Sequence, residues 1–535
     1  MKQKKENLYI FILLVIAILP NVISYFLYSG KGWLFLMTLS LMILLLPALF
    51  FKKKVWLWIV FVFVLLSPFE ISTLLSTNAR INNVIIASIF LTSKEESTEF
   101  LSAILPAVFF SVGLIILYLF IFKKIKSNSY LDTKYRIGIL IFSILIVLYQ
   151  FMTVSVEKDN FSLRSKQTIA SLKAKLSYSV YPSDLILNTV IYVKATMIES
   201  NAMKNLEHFS LGAQRNNNKP QVTILVIGET SRAANWSLFG YEKETNPKLR
   251  KEEGIYPISN TYSSANSTYR SIPMLITQST PQNYDEWKRT GTISRAFKES
   301  GNYTAWIGGQ SEAHMFVHLA ATKSDFVDYA KGYDGKLFEK AKMIVTANKQ
   351  NVFIVIHIFG SHFNYNQRYP KEFNYFKPSD FTSANLQNKK EMINAYDNTV
   401  LYTDFLLDDF IQFLKKDNRN SALYYTADHG ENLMDDKKNL MFHAAQHIPT
   451  SYEFHVPTFV WLSESYRRDY PEKVENLIRN KDKKMSTTVT YHSVIDLGNI
   501  GYPNENKKRS VFSQSFEEFK KRFAYTNLKE VIQID

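Results

Sequence analysis

Five apolar runs crowd the first 156 of 535 residues: roughly Leu8–Tyr28, Trp33–Phe51, Val55–Leu74, Ser102–Phe122 and Arg136–Val156. Each approaches the ~20 residues that an α-helix needs to cross a bilayer. Helices in soluble cores keep a polar face, whereas these runs are apolar on every side. The first run is too long for the hydrophobic stretch of a signal peptide and lacks a small-residue cleavage site, so it reads as a retained span. A five-helix membrane domain is the expectation, and whatever follows must fold on one side of the bilayer.

Basic residues in the short loops decide which side. Lys2, Lys4, Lys5, Lys52, Lys53, Lys54, Lys123, Lys124, Lys126, Lys134 and Arg136 fall on one side, and only Lys31, Arg80 and Lys94 on the other. The amino terminus is therefore expected in the cytoplasm, with everything after about residue 157 exported. The formal charge of +15 divides accordingly: residues 1–156 hold 14 Lys/Arg and 6 Asp/Glu, a net of +8, which leaves +7 for the rest. Export argues against nucleic acid as a partner, and a mildly basic exported domain suits an anionic lipid surface. There are no cysteines. Disulfides, thiolate metal sites and cysteine nucleophiles are excluded, so any chemistry must come from Ser, Thr, His and carboxylates.

The exported part begins with a polar stretch, 157–219, in which Leu185–Val193 suggests short amphipathic helices near the membrane surface. "QRNNNKPQ" (Gln214–Gln221) marks a boundary, which sets domains at 1–156, 157–219 and 220–535. Beyond it, Val222–Ile227, Tyr303–Ile307, Val352–Ile358, Ala422–Thr426 and Thr458–Leu462 read as short buried strands. A long helical pattern over Lys389–Lys416 places Ile393, Val400, Leu401, Phe405, Leu407, Ile411 and Leu414 on its apolar positions. Short apolar strands alternating with helices predict a mostly parallel α/β sheet covered on both faces.

In such sheets ligands gather beyond the carboxyl ends of the strands. Three strand ends here deliver reactive groups: Gly228-Glu229, then Gly360-Ser361-His362, then Asp428-His429-Gly430-Glu431. A lone carboxylate there is most simply a helix cap. Three converging ends with glycines beside them point to a metal. Glu229, Asp428 and His429 offer the oxygen and nitrogen ligands that Zn2+ accepts, while the histidine suits Mn2+ or Mg2+ less well. Three protein ligands leave a position open for a nucleophile. The hydroxyl-rich run "SSANSTYRSIPMLIT" is the candidate source, although spacing alone does not separate Ser263, Ser264, Ser267, Thr268 and Ser271.

"GETSRAANWSLFGYEKETNPKL", "NSTYRSIP", "FGSHFNYNQRYP", "YDNTVLYTDFLLDDFI", "ADHGENL" and "HVPTFVWLS" occur in this order. With them the chain resembles the phosphoethanolamine transferases that modify bacterial lipopolysaccharide, whose architecture is five spans followed by an exported alkaline-phosphatase/sulfatase-like domain. The resemblance implies Thr268 as nucleophile and Glu229, Asp428 and His429 as its metal partners. It also implies His362 and His443 as nearby catalytic and substrate-binding histidines. Ala444 stands where the family has a Gly after that last histidine, and His447 follows four residues on, which leaves the choice between His443 and His447 open. Two headgroup positions fall on Gln310 and His314, both different in type from the family's Asn and Lys. The family's disulfides are absent.

The function so implied is transfer of phosphoethanolamine from phosphatidylethanolamine to lipid A or a core sugar through phosphothreonine. It would use one tightly held zinc, with a second, weaker zinc at His362 and His443 left open. The expected protein is a monomer of the bacterial inner membrane with a periplasmic catalytic domain. Glycerol-phosphate transferases and phosphodiesterase or sulfatase-type hydrolases of the same superfamily are the alternatives. A sulfatase would need a Cys or Ser in a sulfatase signature, and none is present. Lipid A phosphate, heptose and Kdo all remain open as acceptor, with Tyr365–Lys390 and Arg80–Glu99 expected to contribute to its pocket.

Overall fold

The structure is a computed structural model that describes residues 2–28, 33–77, 80–81, 86, 94–154, 161–178, 180–206, 209–309, 321, 324–381, 386–435, 441–443, 449–526 and 530–535. The chain divides into two compact units, one formed mainly by Met1–Ile89 and Glu95–Ala195 and the other mainly by Thr196–Ala444 and Ile448–Asp535.

The first unit is helical. α1 (Lys2–Tyr28), α2 (Trp33–Leu45), α3 (Lys53–Thr77), α4 (Lys94–Phe122) and α5 (Thr133–Thr153) occupy the five apolar runs. Within these, Lys4–Leu27, Lys53–Leu75 and Thr133–Thr153 are long and apolar enough to cross a membrane. Among the described residues the other two runs give shorter apolar helical stretches, Trp33–Leu49 and Val108–Phe122, the former because α2 gives way to a 3-10 turn at Leu46–Leu49, where Pro47 stands. α6 (Phe161–Tyr178) and α7 (Ser183–Leu206) follow, longer than the short helices expected from Leu185–Val193.

The helices are tied by one charged cluster. Arg80 donates to Glu70 Oε1 at 3.2 Å, to Asp184 Oδ2 at 2.9 Å and to Asn21 Oδ1 at 2.8 Å. Both carboxylates are fully buried. Arg80 therefore works inside the helical unit, and most of the expected Arg80–Glu99 segment lies outside the described residues.

The second unit is built on a seven-stranded sheet. Its strands are β1 (Gln221–Gly228), β2 (Ile255–Pro257), β3 (Tyr303–Gly308), β4 (Phe326–Tyr329), β5 (Val352–His357), β6 (Asn420–Ala427) and β7 (Thr458–Leu462), in the order β2-β7-β6-β1-β5-β3-β4. The five expected strands are all present. Pairings from β6 through β1, β5 and β3 to β4 are parallel, while β7 runs antiparallel to both β6 and β2. The two strands that hydropathy did not mark, β2 and β4, are short, partly exposed edges.

Alternation along β1 divides the core. Val222, Ile224 and Val226 face one layer, where α9 (Gly335–Ala347) and α10 (Lys389–Leu414) cover the sheet. Leu225 and Ile227 face the other, covered by α8 (Thr268–Ile276) and α11 (Val489–Leu497). Both faces are thus sealed, which is why the central strands read as continuous apolar runs. α10 buries Val400, Leu407, Ile411 and Leu414 as its pattern predicts, but Phe405 is 37% exposed. Its place on the inner side is taken by buried polar residues. Asp404 accepts the backbone N–H groups of Lys248 and Leu249, each at 3.0 Å, and Asp397 accepts from Asn235 at 2.6 Å and from Lys243 at 2.7 Å. α10 therefore holds the loop that follows Glu229 in place.

Candidate active site

The sheet register assembles the site. Gly228 pairs with Ala427, and Ile227 with His357, so the residues just beyond these strand ends fall side by side. The pairing continues past the strands, with Asp428 N–H donating to Gly228 O at 2.9 Å and Ser361 N–H to Glu229 O at 3.1 Å. Glu229 lies two residues beyond Ile227 and shares its face, which also brings it to His357. His357 Nε2 stands 3.4 Å from Glu229 Oε2, both side chains being fully buried.

Thr268 begins α8, after Ser267 in extended conformation. Its hydroxyl donates to Glu229 Oε1 at 2.9 Å and lies 3.3 Å from His429 Nε2. Unpaired N–H groups in the first turn of a helix favour negative charge nearby. Among the five hydroxyls that spacing left open, Thr268 is brought to the Glu229 carboxylate. Ser263 donates instead to Ala265 O, and Ser264 pairs with Ser486.

Glu229, Asp428 and His429 present ligand atoms all within 4.8 Å of one another. His429 Nδ1 donates to Gly430 O at 2.8 Å, which leaves the Nε2 lone pair facing the carboxylates. Asp428 Oδ1 accepts backbone N–H groups from Thr230 at 3.1 Å and His429 at 2.7 Å. Glu229 Oε2 and Asp428 Oδ2 are buried without a hydrogen-bond partner among the described residues. His429 Nε2 lies 3.5 Å from Glu229 Oε1 and 3.4 Å from Asp428 Oδ2. Tetrahedral ligands held ~2.1 Å from zinc stand roughly 3.4 Å apart. The separations and the orphaned oxygens fit a tetrahedral dication.

The electrostatics agree with that fit. Burial first, and the Glu229 charge second, push the Asp428 carboxyl well up. Burial also opposes ionisation of Glu229, yet the neighbouring His357, His429 and His362 imidazoles hold it well below its ordinary value. Burial and His443 lower His429 to about 3, so its ring is neutral and able to act as a ligand. Two buried carboxylates in contact cannot both stay charged without a cation between them.

The other expected residues lie close by or outside the description. His443 Nδ1 lies 3.1 Å from Glu431 Oε1, and its ring centroid lies 4.1 Å from that of His429 with the planes tilted by 45°. Burial lowers His443 to about 4. His362 Nδ1 donates to Phe363 O at 2.8 Å. Gln310, His314 and His447 fall outside the described residues. The stretch after Gly360 is not a free excursion either: Asp334 accepts the N–H groups of Phe359 at 2.8 Å and Gly360 at 2.9 Å, and Arg368 donates to His362 O at 3.1 Å.

Sequence reasoning missed two residues, His357 and Asp334, and the role of a third that it named, Glu431. His357 ends "VFIVIH" and reads as strand, although a histidine closing an apolar strand is a signal in its own right. Glu431 stands two residues past His429, where its role as partner of His443 and of the Tyr365 hydroxyl, at 3.2 Å, comes only from packing. Asp334 starts α9, far from any block, and gives no sign of its part in holding the His362 loop.

Residues 221–500 match the model of the sulfatase family. Among curated relatives, the phosphoethanolamine transferase EptA of Salmonella typhimurium is 32% identical over 359 residues, covering 63% of this chain and 62% of its own length. The chain spans between 49% and 62% of the length of the curated relatives of this kind that lead the comparison. Among solved structures, the integral membrane lipooligosaccharide phosphoethanolamine transferase A from Neisseria meningitidis superposes with a TM-score of 0.74 at 21% identity, over 94% of this chain and 98% of that one. The periplasmic domain of EptC from Escherichia coli, in complex with Zn, superposes with a TM-score of 0.54 at 24% identity, over 60% of this chain and 95% of that domain. Those likenesses extend the fold to the apolar helices and the α/β unit alike. With more than half of its residues matched, including the strands and strand ends that build the site, the chain belongs to the sulfatase family.

Proposed function

We propose that the chain is a phosphoethanolamine transferase of the bacterial inner membrane, moving phosphoethanolamine from phosphatidylethanolamine to lipopolysaccharide through a phosphothreonine at Thr268. One observation carries the reading: a threonine hydroxyl at a helix N-terminus, 2.9 Å from Glu229 and 3.3 Å from His429, beside Asp428. The names of the relatives supply the group transferred. The absence of cysteine and of a sulfatase signature weighs against sulfate chemistry.

Glu229, Asp428 and His429 would hold zinc, with the Thr268 hydroxyl toward it. When bound, zinc supplies Lewis acidity that eases loss of the hydroxyl proton and balances charge on the phosphoryl oxygens. Glu229 Oε1 accepts the hydrogen bond that orients Thr268 Oγ1 for in-line attack on phosphorus. As the Thr268–phosphorus bond forms, the Thr268 proton passes to His362 or His443, the bond from phosphorus to the diacylglycerol oxygen breaks, and the same histidine hands that proton to the departing oxygen. In the second half, an acceptor oxygen attacks the phosphothreonine, loses its proton to the same histidine and returns Thr268 to its free hydroxyl. N-terminal helices crossing the inner membrane, with a cytoplasmic amino terminus and a periplasmic, monomeric catalytic domain, would bring the site to both lipids.

The test separates transfer from hydrolysis. Given phosphatidylethanolamine without acceptor, the enzyme should accumulate phosphoethanolamine on Thr268, read by peptide mass spectrometry. Added lipopolysaccharide should clear the adduct, and Thr268→Ala should form none. Rapid release of free phosphoethanolamine in the absence of acceptor would make the protein a hydrolase.

A further inference from the structure

A cavity of about 350 Å3 opens in the α/β unit beyond the C-terminal end of α8. Its size falls within the range of small-molecule sites, about 300–1,000 Å3. No Asp or Glu lines it, while Arg509, Lys521 and His492 do.

The guanidinium of Arg509 lies over Phe519, with Cζ 3.9 Å from the ring centroid. Its neighbour Lys508 takes the nearby Glu517 at 2.6 Å. Among the described residues, neither Arg509 nor Lys521 has a carboxylate within ion-pair distance, and the guanidinium gives no hydrogen bond to the protein. A guanidinium held over an aromatic ring is partly ordered before it meets an anion, so less entropy is lost on binding. His492, lowered to about 4 by burial and then by Arg509, adds a neutral ring bonded to the Tyr502 hydroxyl at 3.1 Å. The remaining lining is mostly amide and hydroxyl, from Gln278, Thr280, Gln282, Thr488 and Asn506, with an aromatic edge from Phe523. Lys521 and Arg509, the latter near Glu517 but not in ion-pair contact with it, match a dianion, and neutral donors and acceptors beside an aromatic surface match the hydroxyls and ring of a sugar.

We propose that this cavity binds a sugar phosphate, with Arg509 and Lys521 on the phosphate and the amide and hydroxyl side chains on the sugar. The cavity is joined to the nucleophile segment at two points. Gln278 follows α8 by two residues, and Ser486 on its wall is bonded at 2.7 Å to Ser264, four residues before Thr268. Along α8 the distance from Thr268 is roughly 12 Å at 1.5 Å per residue. On the transferase reading, on which this step rests, the ligand is the phosphorylated saccharide of the acceptor lipid.

The experiment uses the full chain in detergent with glucose 1-phosphate, glucose and inorganic phosphate as probes, followed by saturation-transfer NMR and calorimetry. Glucose 1-phosphate should bind more tightly than either other probe, and Arg509→Ala with Lys521→Ala should weaken it roughly tenfold or more. Arg509→Lys, which keeps the charge and loses the fork, should fall between and guards against misfolding of the double variant. In the double variant the KM for lipopolysaccharide should rise while adduct formation on Thr268 from phosphatidylethanolamine proceeds at the wild-type rate. Glucose 1-phosphate binding equally to wild type and double variant, or failing to bind wild type, overturns the proposal. Inorganic phosphate binding as tightly as glucose 1-phosphate overturns the sugar assignment. If wild type forms no adduct at Thr268, the transferase reading falls, and the binding comparison still decides the cavity.

Discussion

Gly360 offers a test of how the site is held, because it is pressed against a residue it does not help in any chemical sense. Its φ is +54°, and a Cβ there would stand 2.9 Å from Glu229 O and 3.1 Å from Glu229 N. Gly360→Ala therefore meets two costs. The left-handed conformation disfavours an L side chain by ~1–2 kcal/mol. The clash with rigid backbone adds about 1–3 kcal/mol, since the peptide of Glu229 must shift by a few tenths of an ångström. The sum, ~2–5 kcal/mol, corresponds to a fall of roughly 3–7 °C in Tm for a domain of this size. Because the displaced peptide carries Glu229, zinc retained after dialysis should fall as well, although Gly360 is no ligand. Gly240 is the control: its φ is +98°, but a Cβ there meets nothing within 4 Å. Gly240→Ala should cost only ~1–2 kcal/mol of strain and leave zinc unchanged. Thermal unfolding and elemental analysis of the full chain in detergent measure both quantities. A Gly360→Ala protein with wild-type Tm and full zinc would refute the idea that the β5 and β1 ends are braced against each other.

Other outcomes follow from the same structure. Glu229→Ala or Asp428→Asn should lose the tight zinc, measured by elemental analysis, while His362→Ala should keep it and lose transfer activity; loss of zinc in His362→Ala would reassign the ligands. Arg80→Ala leaves Glu70 and Asp184 buried and uncompensated, and should destabilise the helical unit by ~3–5 kcal/mol in denaturant unfolding, with Arg80→Lys milder. Burial raises the Glu453 carboxyl from its ordinary 4.5 to about 8, and its backbone and Asn266 hydrogen bonds do not restore it. The folded state then holds a proton that the unfolded chain has lost. The stability this contributes is complete below about pH 4.5 and declines by on the order of 4 kcal/mol as pH rises to about 8. Glu453→Gln should flatten that decline between pH 5 and 8.5, and an unchanged slope would discount the buried acid.

Much of this protein is written locally. A long apolar run declares itself as helix through side-chain chemistry alone, and so does a strand sealed on both faces, which is why the apolar helices and the five central strands were legible. Glycine and polar residues directly after those strands marked where a ligand would sit, and Glu229, Asp428 and His429 came from that signal. What stayed hidden depends on partners far away in the chain. Thr268 is one of five hydroxyls in its segment, and only the packing of α8 brings its oxygen to Glu229, 39 residues earlier. His357 looks like the last residue of a strand until the parallel register sets it beside β1. The antiparallel course of β7 has no sequence mark either, since direction leaves the apolar pattern of a buried strand unchanged. Phe405 fits the helical period and still faces solvent, because Asp397 and Asp404 claim the inner face of α10 to hold the loop after Glu229. Hydropathy and spacing are properties of neighbours in sequence, whereas the separations of about 3.4 Å that make a metal site are set by strand register and helix packing.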